Sequence, residues 1–135
     1  MKKIKTNTLT GWKLSYAVGM AENLDMVINR NTSNVPAVYE MRRVRCSKPG
    51  CAVSHKLGVD FNYENVADNI IDRERINAMF LDADIVQTSM GYPRDRNLHH
   101  GYFTQHAYTR REAAMKTWVL FKLGEEVEFP DWVEA

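Results

Sequence analysis

Arg94, Arg96, His99, His100, Tyr102, His106, Tyr108, Arg110 and Arg111 crowd into the stretch that leads to the last amphipathic segment of the chain. Such a set suits binding. Guanidinium forks make paired hydrogen bonds to phosphate or carboxylate oxygens, rings stack on flat groups, and a helix start adds free N–H groups and a positive dipole end. The expected ligand is a small anion, such as a nucleotide, held by Arg94, Arg96, His100, Tyr102, His106, Tyr108, Arg110 and Arg111. The competing account pairs the arginines with Asp95 and Glu112 and packs the rings as a small satellite cluster. Two arginines in a first helical turn oppose the helix dipole unless an anion sits there.

A second basic set, Arg42, Arg43, Arg45, Lys48 and Lys56, lies between Glu40 and Asp60 with no acid inside the window. A positive surface there would meet nucleic-acid phosphates, although Tyr39 just outside is the nearest ring for base stacking. Within the same window Cys46, Cys51 and His55 form C-x4-C-x3-H, a width at which thiolates grip tetrahedral zinc. With no second matched pair, ordinary reduced thiols are the expectation, with no metal and no cofactor.

Catalytic motifs are missing: the sequence has no G-x-S-x-G elbow, Walker A loop, H-E-x-x-H or G-x-G-x-x-G turn. His100 with Asp82 or Asp84 could form an acid–base pair, but such residues occur in most domains. The expectation is a protein that is not an enzyme, the alternative being a small enzyme acting on a phosphorylated metabolite.

These residues must be positioned by a chain of 135 residues, 44% apolar and 26% charged, with net charge +1. That length predicts a single domain over 1–135 with its own core. Near-neutral charge excludes a global field pulling the molecule onto nucleic acid or an anionic membrane. The opening MKKIKTNTLTGW lacks the apolar run of a secretion signal, and no stretch approaches the roughly 18 apolar residues of a membrane span. A cytoplasmic protein is expected, as two cysteines alone also suggest.

Along the chain a short strand is predicted at 3–5. Thr10 then stands as N-cap before Leu14, Ala17, Val18, Ala21 and Leu24, spaced by three and four along one helix face. Residues 29–36 read as a polar loop, 37–45 as a strand, and 46–58 as a turn with a second strand near 52–55. Val66, Ala67, Ile70 and Ile71 give a helix over 64–76 an apolar stripe, followed by strands at 77–80 and 84–88. The stretch 91–108 has no period, with a hairpin through Tyr102 and Phe103 as its one structural hint. Thr109 with Glu112 matches the capping box, and Gly124 closes that helix. Val127 and Phe129 alternate with acids as an edge strand, with Trp132 as an anchor after Pro130. The fold class is α+β, a small antiparallel sheet packed with two or three helices in the manner of an α/β/α sandwich. Short sheet edges and the Trp132 tail point to a homodimer.

Three blocks, LTGWKLSYAVGMAE at 9–22, FNYENVADNIIDRERI at 61–76 and AAMKTWVLFKLGEEVEFPDWV at 113–133, resemble the NinX-like family of small phage and prophage proteins of unknown function. In the closing block Ala113, Ala114, Met115, Val119, Gly124, Val127 and Pro130 fall in the family's register. The middle block departs from the family form, which is richer in Ser, Thr and Gly where this chain has Asn62, Tyr63, Glu64 and Asn65. The resemblance covers about half the chain and leaves out the cysteine region and the Tyr/Arg/His stretch. It implies a phage-encoded accessory protein in a bacterial host, and on that setting the expected partner is a host or phage protein, a defence component among the candidates.

Overall fold

The computed structural model describes residues 1–30, 35–45, 50, 54–82, 85–90 and 103–133. Its centre is the last helix, α3 (Arg110–Leu123), in which every residue from Ala113 to Val119 is buried. A helix buried all round must be covered on every side. One side lies on the sheet formed by β5 (Asn77–Asp82), β6 (Ile85–Met90) and β7 (Phe103–Ala107), with β6 in the middle. The other sides meet α1 (Gly11–Ala21) and α2 (Tyr63–Glu74). Beyond α1 lies a second sheet of β2 (Met26–Asn29), β3 (Ala37–Arg45) and β4 (Ser54–Asp60). The two ends of the described chain pair as β1 (Lys2–Lys5) and β8 (Glu126–Phe129).

Among the described residues the fold is α+β with three helices, within the two or three that the sequence predicts. The described strands divide among three antiparallel sheets of two, three and three strands, where the sequence suggested one. The division follows from the helices, since each small sheet buries one face against a helix and a continuous sheet would have to cross the helix layer. A single core runs through Leu9, Leu14, Val18, Ile70, Met115, Val119, Val127 and Phe129. Tyr16 and Phe129 bring their rings to 5.2 Å, closing the β1–β8 ribbon onto α1.

Local chemistry explains several boundaries. Thr109 caps α3, its Oγ1 accepting the Glu112 N–H at 3.2 Å, and Gly124 ends the helix at φ +93°, ψ −167°, a backbone region open essentially to glycine alone. Thr6 Oγ1 donates to the Gly124 carbonyl at 2.6 Å and the Thr6 N–H to the Glu125 carbonyl at 2.8 Å, so the first strand is tied to the helix end. Gly19 weakens α1 in isolation, but a Cβ there would overlap the Met26 thioether, so the missing side chain makes room for β2.

Differences from expectation have physical causes. Thr10 does occupy the N-cap of α1, but its side chain makes no capping hydrogen bond. Ser15 instead turns its Oγ to accept the Tyr63 N–H at 3.0 Å, linking α1 to the start of α2. Residues 26–29 form a strand where the sequence predicts no element before Asn29, the start of the expected loop, because Val27, Ile28 and Asn29 pair with Tyr39, Val38 and Ala37. The second strand of the cysteine region lies at 54–60, later than predicted. Of the hairpin suggested through Tyr102 and Phe103, Tyr102 lies outside the described residues, while β7 starts at Phe103 and pairs with β6 from Met90↔Phe103 to Val86↔Ala107.

Candidate functional site

The expected site divides at the limit of the described residues. Arg94, Arg96, His99, His100 and Tyr102 lie outside them, while His106, Tyr108, Arg110 and Arg111 are described. β7 carries His106, Tyr108 follows it, and Thr109 turns the chain into α3. Because Val86 pairs with Ala107, Tyr108 emerges beside Ile85 at one end of the sheet. Thr10, at the start of α1, completes the wall. Thr10, Ile85, His106, Tyr108, Glu112 and Lys116 surround a cleft of about 290 Å³.

At its base lies a residue that the motifs did not single out. Lys116 is only 5% exposed, and its ammonium meets Glu112 Oε1 at 3.5 Å. An ammonium has three donors, and this long contact engages one of them weakly. Removing such a charge from water is costly unless other groups meet it. Lys116 stands three residues after buried Ala113 and four before half-buried Leu120. A helical wheel therefore places a cation on the apolar stripe, and that was the signal available in the sequence. In the same cleft Tyr108 is 78% exposed, the highest exposure among the large apolar residues described.

The two arginines of the first turn of α3 behave differently. Arg111 is committed to Asp68 of α2, with Nε to Oδ1 at 3.2 Å and a terminal nitrogen to Oδ2 at 2.9 Å. The hydrogen bond to Arg111 holds the Asp68 carboxyl below its ordinary value. This answers the dipole problem noted from sequence, since Asp68 and Glu112 supply negative charge at the helix start. Arg110 is exposed and makes no ion pair among the described residues, although its charge adds to that of Arg111 in lowering the Asp68 carboxyl, and it does not line the cleft.

The basic window is split by strand geometry. Side chains alternate faces along a strand, so Arg43 and its cross-strand neighbour Lys56 share one face while Arg42 points to the other. Arg42 binds Glu40 Oε2 at 2.9 and 3.0 Å, and Lys56 approaches Asp25 at 3.6 Å. The side chain of Arg45 and all of Lys48 lie outside the described residues, as do Cys46, Cys51 and the side chain of His55. Among the described residues, no cluster of His, Cys, Asp and Glu has the makings of a metal site.

A second cleft, of about 400 Å³, went unnoticed in the sequence. Trp12 and Ser15 of α1 face Phe61, Asn62 and Glu64 at the start of α2, with Asp60 alongside. It forms where two of the three sequence blocks meet, and only the packing of α1 on α2 brings them together. Its two carboxylates make it unfavourable for an anion.

No protein-family model matches the sequence, and no curated protein is significantly similar to it. No helix among the described residues is long and apolar enough to cross a membrane.

Proposed function

We propose that the protein is a phage or prophage accessory protein, working in the cytoplasm of the bacterial host by binding and not by catalysis, and that it takes a small anionic ligand in the cleft over Lys116. The phage setting rests on the three sequence blocks. The ligand class rests on one observation: a lysine buried to 5% exposure that lines an open cleft and whose ammonium, among the described residues, meets Glu112 alone, at 3.5 Å. An anion reaching Lys116 would engage its remaining donors, His106 would add a hydrogen bond from the cleft wall, and Tyr108 offers a face for a flat group. A volume of about 290 Å³ sits at the bottom of the roughly 300–1,000 Å³ range of small-molecule pockets, so the ligand is of mononucleotide size or smaller. Sequestering such a molecule is one means by which a phage protein could blunt a host defence signal.

The test is calorimetric titration of the full chain with inorganic phosphate and with ribonucleoside mono- and diphosphates, followed by 31P NMR of the mixtures. Micromolar binding of one nucleotide, lost in Lys116→Met and Tyr108→Ala, with the ligand unchanged after incubation, is the expected result. No binding at millimolar ligand, or binding indifferent to Lys116, overturns the ligand assignment. Appearance of a product overturns the non-catalytic one.

A further inference from the structure

The outer edge of β5 pairs with no described strand, and it is unusually apolar for an edge. Met79 is 61%, Phe80 73% and Leu81 51% exposed, with Ile85 next to them at 41%. Strand geometry makes this more than a scatter of surface hydrophobes. Phe80 pairs with buried Val86 and so lies on the α3 side of the sheet, whereas Met79 pairs with Gln87 on the opposite side. Both faces of the strand are therefore apolar and open. Phe80 is exposed because α3 sits over β6 and β7 and barely reaches β5.

Exposed edges are ordinarily guarded by lysine, proline or other charges that prevent pairing with another chain. The other three-stranded sheet follows that rule: β4 carries Lys56 and Asp60 on its edge, and β2 is only four residues long. From Asn77 to Leu81 there is neither a charge nor a proline. The one irregularity, a register shift between Phe80 and Asp82, limits pairing to the residues before it.

We infer that β5 is a self-association edge, and that a second copy of this chain adds its own β5 antiparallel across a two-fold axis between Ala78 and Met79. Charge selects this occupant. Arg75, exposed and in the left-handed conformation at the end of α2, stands two residues before the strand, and Asp82 ends it. Antiparallel pairing sets the Arg75 end of each copy against the Asp82 end of the other, so the single strand is complementary to itself. The net charge of +1 leaves no overall repulsion to oppose two copies meeting. An isologous contact also closes, giving a dimer and no fibre. The joined sheet would carry six strands, with each Phe80 beneath the neighbouring copy.

Sedimentation velocity of the full chain, under reducing conditions and from micromolar to high micromolar concentration, tests this. The wild type is expected to be a dimer. Phe80→Lys should raise the dissociation constant by at least about tenfold, equivalent to about 1.4 kcal/mol, with an unchanged circular-dichroism spectrum. Leu57→Lys, at an apolar position on β4 that is 56% exposed, should leave the dimer intact. Arg75→Asp, a residue tolerated in the left-handed conformation, should weaken it at low salt, and adding Asp82→Lys should restore it. A monomer at every concentration, or a dimer unmoved by a folded Phe80→Lys variant, overturns the inference.

Discussion

The hydroxyls of Thr88 and Thr117 lie 2.8 Å apart with both residues fully buried, and Thr117 also donates to the Thr88 carbonyl at 3.2 Å. This polar link fastens the middle strand β6 to α3, the two elements whose ends form the cleft over Lys116.

Breaking that link from one side should be worse than removing it. Thr117→Val strands a buried hydroxyl and is expected to lower stability by about 1–3 kcal/mol. The Thr88→Val, Thr117→Val double variant should lose less than the sum of the two single changes. Urea denaturation of the four proteins gives the coupling directly.

Gly124→Ala should destabilise by about 1–3 kcal/mol through backbone strain alone. A methyl group there would meet nothing within 4 Å, so a crystal structure of the variant should show no displaced side chain. Either the backbone at 124 moves, or the Thr6 hydrogen bond to its carbonyl lengthens.

The two threonine caps should respond unequally. Thr109→Ala loses a real hydrogen bond to the Glu112 N–H and should cost about 1 kcal/mol. Thr10 makes no such bond, so Thr10→Ala should stay within about 0.5 kcal/mol of wild type. Thermal melts of the pair, done side by side, distinguish them.

Asp68 carries a pH dependence of definite sign. Its carboxyl is held below the ordinary value of 3.8, first by the hydrogen bond from Arg111. A depressed folded value means that its contribution is present above pH 3.8 and is lost as the pH falls through the folded value. The pair is exposed, so the contribution is small and salt-sensitive. Carbon-13 NMR titration should find Asp68 titrating below its ordinary value in the wild type and returning toward it in Arg111→Gln.

Elements with strong local signals were legible beforehand. The start of α3 at Thr109 and Glu112, its stop at Gly124, and the strand 37–45 all follow from capping chemistry, glycine conformation and β-propensity near in sequence. The four-residue strand β2 was not, because Met26, Val27 and Ile28 follow directly on a helix and become a strand only by pairing with residues ten or more positions away. Of the site, His106, Tyr108, Arg110 and Arg111 were visible as residue types suited to an anion. That Arg111 is spent on Asp68 could not be seen, since the two are 43 residues apart.

By itself the amino-acid sequence determined the class of the fold, the helix limits and the chemistry available near the start of α3, because those depend on spacings of a few residues. Tertiary structure decided how the strands divide among three sheets, that Arg111 is spent on Asp68, and that Lys116 lies buried in the wall of the cleft that Tyr108 also lines. It also decided that β5, which α3 barely reaches, ends as an open apolar edge. The reason is the same in each case: burial and charge pairing are settled by which distant surfaces meet, and local propensity carries no record of that meeting.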